Sequence, residues 1–276
     1  MPRIRTYGLD VDTLAFAARV KAGSGKTILP DSLKQINKFV VGLKRLNLWN
    51  STICWPMRNM HNAGTGSTLY SLGGMGTYNG TLTNNTNWSS DGLNMYFSTA
   101  DAINIPNFVA NDLNNGLNFI AYFTPRGSTP ASATNSNYFN LYYPSSTLWY
   151  VFGHSGTGST NSAMCNFYSS DQNRYYTPTF ISLTNILNKS ISYAFSNKQH
   201  VIYSPSASIS SPSVAAGSAN SRSSPNTLTI KPVTSVGEVG CTLEFFIIIN
   251  NFDTTVNRQL IQNLYIRSFN TSKTYY

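Results

Sequence analysis

Gly23-Ser24-Gly25-Lys26-Thr27 ends like a phosphate-binding loop, in which backbone N–H groups cradle phosphate and a lysine reaches the outer oxygens. That motif needs an earlier glycine at the position where Val20 stands, and it must follow a buried strand rather than a helix. The segment therefore predicts a helix-ending turn. Gly153-His154-Ser155-Gly156-Thr157 matches the serine-hydrolase nucleophile elbow in part, but Thr157 holds the second glycine position and no helix pattern follows. It reads as the glycine-rich end of a hairpin. Glycoside hydrolysis asks for two carboxylates a few ångströms apart, and the whole chain has ten acidic residues. Glu238 and Glu244 are the only glutamates. On one strand they would stand about 20 Å apart, at ~3.3 Å per residue. No strand pattern carries acids at i and i+2. No catalytic residue is assigned, and the chain is expected not to be an enzyme. Cys54, Cys165 and Cys241 are isolated, with no CxxC pair or Cys/His cluster to hold zinc. No Asp-rich loop offers calcium its oxygen ligands. Neither metal nor cofactor is expected.

Binding chemistry has more to work with. Tyr142, Tyr143, Trp149, Tyr150, Tyr175 and Tyr176 fall in neighbouring hairpins, and strand alternation must turn about half of them outward. Outward rings stack on sugar faces or on a partner subunit. Tyr142, Tyr143, Trp149, Tyr175 and Tyr176 are the candidates for glycan stacking. The cations are uneven: ten of the 19 Lys and Arg residues lie between Arg3 and Arg58, opposed there only by Asp10, Asp12 and Asp31. Arg3, Arg5, Lys34, Lys38, Lys44 and Arg45 are the candidates for docking on an acidic surface.

The elements that must position these residues are short and mostly extended. Only 11% of the 276 residues are charged while 13% are aromatic, a balance unlike a solvated helical enzyme or a disordered chain. Asp10 or Asp12 predicts a helix cap, with Leu14, Ala17 and Ala18 inward to about Lys21. Pro30-Asp31-Ser32 predicts a second helix with Leu33, Ile36, Val40 and Leu43 on its apolar face and lysines opposite. Strands are predicted at Ile53–Met57, Leu93–Phe97 and Leu117–Phe123. Hairpins are predicted at Tyr138–Tyr143 with Leu148–Phe152, Ala163–Tyr168 with Arg174–Ser182, and Ser190–Phe195 with His200–Tyr203. Ser204 to Pro225 reads as a long loop. Thr242 to Ile249 is the most apolar run, a strand covered on both faces. A helix follows, with Leu260, Ile261, Leu264 and Tyr265 on one side and Asp253, Thr254 or Thr255 as its cap. No apolar run approaches the ~20 residues that span a membrane. The first residues carry no apolar signal region, so a reducing compartment is expected.

In this order the pieces resemble a known family. The hairpins, the late loop, Asn226-Thr227-Leu228-Thr229-Ile230, and the strand and helix from Cys241 to Phe269 are similar to concanavalin A-like lectin/glucanase domains of the laminin-G kind. Asn87-Trp88-Ser89-Ser90-Asp91-Gly92-Leu93 resembles that family's early strand, and Ser190–Ser204 its hairpin, with Asn197-Lys198 at the turn. Asp10–Gly23 and Leu33–Trp49 are similar to the helical lead-in of tailed-phage virion proteins that carry this sandwich. The glucanase Glu-x-Asp-x-Glu strand is absent. The resemblance implies a mainly β fold, an antiparallel jelly-roll β-sandwich with an N-terminal helical segment and a short C-terminal helix. Residues 1–58 would be the docking segment and residues 59–276 the sandwich. The implied function is a bacteriophage virion structural protein, a head decoration or fibre-type component docked by its N-terminal helices. A carbohydrate-binding module for a host glycan is the alternative, and a glycosidase comes third. The implied partners are other virion proteins, capsid or fibre subunits, a homo-oligomer such as a trimer, and a host glycan. Neither a membrane nor nucleic acid is expected as a partner. The expected location is the virion, assembled in the host cytoplasm.

Overall fold

The computed structural model describes residues 8–84, 86–96, 99–108, 119–127, 136–142, 148–155, 162–168, 174–182, 190–196, 199–204, 207–210, 226–234, 239–250 and 255–269. One sheet contains β1 (Thr52–Pro56), β3 (Leu72–Gly73), β5 (Asn87–Trp88), β6 (Leu93–Tyr96), β8 (Phe119–Gly127), β13 (Ile191–Ser196), β14 (Gln199–Ser204), β15 (Ala207–Ser210) and β17 (Val239–Ile249). Its order is β15-β14-β13-β8-β17-β1-β3, with β6 on the other half of the β17 edge and β5 beyond it. The second sheet contains β2 (Thr68–Leu69), β4 (Gly80–Thr83), β7 (Ala102–Phe108), β9 (Ser136–Tyr142), β10 (Leu148–Ser155), β11 (Ser162–Tyr168), β12 (Arg174–Ser182) and β16 (Asn226–Thr234). Its order is β12-β11-β10-β9-β16-β7-β4-β2. The pairings are antiparallel, and the predicted hairpins form as β9/β10, β11/β12 and β13/β14. One expectation is corrected: part of the Ser-rich stretch is β15, which pairs with β14 from Val201 opposite Ser210 to Ser204 opposite Ala207. Residues 211–225 lie outside the described residues.

Alternation along β8 and β17 builds two apolar layers. Phe119, Ala121 and Phe123 point between the sheets with Leu243, Phe246, Ile248, Trp55, Phe108 and Ile230. Trp55 stacks on Phe246 at 5.8 Å and donates from Nε1 to the Tyr78 carbonyl at 2.7 Å. Ile120, Tyr122, Phe245, Ile247 and Ile249 point the other way, into a second layer beneath the helices. The strand at Thr242–Ile249 is buried along its whole length, as its unbroken apolar run predicts.

The helices are α1 (Val11–Ser24), α2 (Pro30–Arg45) and α3 (Thr255–Phe269). Asp10 caps α1 by accepting from Asp12 N at 3.0 Å. Gly25 ends it at φ 75°, with its N–H on the Lys21 carbonyl, so the loop-like Gly-Ser-Gly-Lys segment is a helix terminator. The predicted inward face of α1 is corrected. Thr13, Phe16 and Val20 are buried while Leu14 and Ala18 are exposed. Phe16 and Val20, four apart, offer the sheet more apolar area than leucine with two alanines. On α2 the buried face is Ile36, Phe39, Val40 and Leu43, as its spacing predicts. On α3 the buried face is Ile261, Tyr265 and Phe269, and Leu260 is exposed, because the helix turns its aromatic ridge to the sheet. Tyr265 stacks on Tyr122 at 3.9 Å, and Phe39 meets Phe245 edge-on at 5.2 Å. The expected cap residues Asp253 and Thr254 lie outside the described residues. Residues from α1 to β1 thus share a core cluster with residues of the sandwich.

The turn after β1 is fixed by polar groups. Buried Asn62 donates to the carbonyls of Pro56 (2.9 Å) and Tyr70 (2.8 Å), and its Oδ1 accepts from Ala63 N and Tyr70 N. His61 is buried beside it, with Nε2 2.6 Å from Gln35 Oε1 and its ring edge-on to Phe269. Burial first, then the positive charges of Arg58 and Lys26, push its pKa down to about 3.

Candidate functional site

The helices cover only half of the outer face of the first sheet. The division falls at a bulge in β17, where Leu243 pairs with Phe123 and Phe245 with Tyr122, leaving Glu244 as the extra residue. The bulge shifts the alternation. Beyond it Phe245, Ile247 and Ile249 face the helices; before it Thr242 and Gly240 face outward. Glu244 is fully buried and receives Arg58 Nη2 at 2.7 Å. Met57 N donates to its carbonyl, so both its ends are held.

The half outside the helix-covered cluster carries polar rows across three strands, with Thr124, Thr242 and Gly240 buried and Tyr96 exposed. Asn94 of β6, Thr242 of β17 and Thr124 of β8 are in register as one row; Tyr96, Gly240 and Arg126 form the next. Thr242 is buried. Its Oγ1 accepts from Arg126 Nε at 3.0 Å and donates to Asn94 Oδ1 at 2.6 Å. That relay holds the guanidinium and the amide in place. It leaves Arg126 Nη1 and Nη2 and Asn94 Nδ2 without a protein acceptor among the described residues. Tyr96 is 38% exposed beside Gly240, where an added Cβ would meet the Met95 carbonyl oxygen at 2.2 Å and Tyr96 Cδ1 at 2.8 Å. The glycine lets β6 approach β17 closely at this point. Thr124 Oγ1 reaches Ser190 Oγ at 3.4 Å and extends the row toward β13. An aromatic face beside anchored donors suits a ligand with an apolar ring face and many oxygen acceptors. The alternation of Leu93-Asn94-Met95-Tyr96 was readable as a strand. That β6 pairs with β17, and so brings Gly240 and Arg126 beside Tyr96, was not.

The predicted candidates are distributed differently. Tyr142 is half-buried on β9, with Lys231 Nζ 4.5 Å from its ring centroid and Asn140 Nδ2 3.4 Å from its hydroxyl. Thr81, Asn104, Thr229 and Tyr142 form a row on the outer face of the second sheet. Trp149 lies on β10 and Tyr175 and Tyr176 on β12, strands of that same sheet. The side chains of those three residues, and Tyr143 entirely, lie outside the described residues. Among the docking candidates, Arg3 and Arg5 also lie outside them. Lys34 pairs with Asp31 at 3.1 Å, Lys38 donates to the Arg267 carbonyl, and Lys44 bridges Asp10 (2.7 Å) and Asp12 (2.6 Å). Arg45 is exposed on α2 with no ion pair among the described residues. The structure thus turns three of these cations back onto the chain.

Glu238 lies outside the described residues, and Glu244 faces Arg58 rather than a second acid. Cys54 and Cys241 are buried free thiols; burial pushes Cys54 well up and Cys241 up to about 12. Among the described residues, no three His, Cys, Asp or Glu side chains gather as a metal site, and no helix is long and apolar enough to cross a membrane.

No family model matches the chain, and no curated protein matches it in sequence. Solved structures do. One is botulinum neurotoxin type C, whose cell entry depends on interaction with two ganglioside molecules: TM-score 0.54, 12% identity, over 80% of this chain and 53% of that one. The binding domain of serotype D matches at TM-score 0.53 and 9% identity, over 82% and 53%. The binding domain of botulinum neurotoxin DC in complex with rat synaptotagmin II matches at TM-score 0.52 and 12% identity, over 79% and 52%. The chain spans about half the length of these structures. At such identities the likeness is one of fold, and the fold is a mainly β, lectin-like sandwich of the concanavalin A-like kind.

Proposed function

We propose that this chain is a carbohydrate-binding module without catalytic activity, and that it holds a glycan on the open half of its first sheet. The observation that carries the reading is the Tyr96–Gly240–Arg126 row, with Asn94 locked beside it through Thr242. A sugar ring stacked on Tyr96 places its hydroxyls toward Arg126 and Asn94, which offer donors held at fixed angles. The likeness to a toxin that interacts with gangliosides supports the same reading. A glycan array of the full chain tests it. Binding to a defined set of glycans is expected, weakened about tenfold or more in Tyr96→Ala and Arg126→Ala, at ~1–3 kcal/mol per lost contact. Binding that both variants retain in full would place the ligand elsewhere.

A second reading, a virion surface component held by its N-terminal helices, draws on one observation. Val11, at the start of α1, is 73% exposed, and Leu29, just before α2, is 68% exposed. Val11→Asp with Leu29→Asp should then reduce incorporation into particles without altering the folded chain.

A further inference from the structure

A cleft of about 680 Å³ lies on the helical side of the molecule, between α1, the end of α2 and the turn that follows β3. It shares no residue with the Tyr96 patch. One wall is bare backbone. An added Cβ at Gly73 would meet the Thr52 carbonyl oxygen at 2.3 Å, and one at Gly74 would meet that of Trp49 at 2.6 Å. Asn47 turns the chain at φ 56°, which carries its amide into the lining. Two cations stand in the walls: Lys44, bridging Asp10 and Asp12, and Arg19, whose Nη2 donates to the Ser71 carbonyl at 3.0 Å. Asp12, in the lining, and Asp10, bonded to Lys44 from outside it, bring these four charges to zero. A ligand of either sign therefore meets like charge as well as opposite charge, while a neutral ligand meets no repulsion.

Directional groups remain. The Asp12 carboxylate, the Asn47 and Asn50 amides and the Thr77 hydroxyl line the space, with Trp49 beneath Lys44. Planar carboxylate and amide groups lining one cleft suit hydroxyls, each of which donates one hydrogen bond and accepts others. The volume falls in the range of small-ligand sites. We propose that this cleft is a second saccharide subsite, taking a neutral mono- or disaccharide unit, and that it works independently of the Tyr96 patch.

The test titrates the full chain with lactose, cellobiose and maltose, and with galacturonate and glucosamine as charged comparisons, to about 20 mM. Ligand-observed NMR reads binding. At least one neutral disaccharide should bind, in preference to both charged sugars. Asn50→Ala and Thr77→Val, two variants at the cleft's edge, should each weaken it about fivefold to tenfold. The part of the binding that Asn50→Ala and Thr77→Val weaken should persist in Tyr96→Ala, which removes only the other patch. Binding of none of the three disaccharides, or equal binding of the charged sugars, overturns the subsite. So does binding that falls in Tyr96→Ala but not in Asn50→Ala, an outcome that leaves the Tyr96 reading standing.

Discussion

His61 ties the stability of the helical cover to pH. In the folded chain its pKa is about 3, against an ordinary value of 6.5, because the ring is buried beside Arg58 and Lys26. The unfolded chain therefore takes up the proton first as pH falls. The neutral ring's contribution is complete above 6.5 and is lost as pH drops toward 3, at about 1.4 kcal/mol per pH unit well inside that window. Urea midpoints at pH 7 and pH 5 read the effect. The native chain should lose stability between them, and His61→Gln, which keeps a donor for Gln35, should lose clearly less. Parallel losses in both would detach the effect from this residue.

At the scale of the element, the bulge in β17 and its ion pair form one device. Removing Arg58 takes its cationic partner from a Glu244 carboxylate that no solvent reaches, so Arg58→Met should cost about 3–5 kcal/mol. The double variant Arg58→Met with Glu244→Leu should recover much of that loss in a double-mutant cycle; failure to recover would mean the charge pair is not what holds the bulge. Much of the framework around it was legible. The run Thr242–Ile249 declared a strand with no wet face, and the hairpins followed from alternation broken by turn residues. The bulge itself was not legible, because it is a property of pairing with β8 and leaves the apolar pattern of β17 intact. The same cause hid the Tyr96 patch. Asn94 and Thr242 are 148 positions apart and Arg126 and Thr242 are 116 apart, and only the register brings them together. The face of α1 was misread for a local reason: its sequence is apolar on more than one side, so periodicity alone could not choose between Leu14 and Phe16.

At the scale of the molecule, the N-terminal helices are a roof over the first sheet. Phe16, Ile36, Phe39 and Val40 cover Phe245, Ile247 and Tyr122, and α3 closes the same layer. Removing residues 1–50 should therefore expose that apolar face and yield aggregated protein, checked by size-exclusion chromatography. A monodisperse truncated sandwich would show that the roof is dispensable. The bulge at Glu244 also bears on how such a protein changes over generations. It is a seam: on one side the outward residues are sealed beneath the helices, on the other Asn94, Tyr96 and Arg126 keep some exposure. On the proposed reading, replacements at Asn94, Tyr96 or Arg126 would retune what the surface accepts while the sealed side keeps its fit, so specificity could drift with little change to the fold.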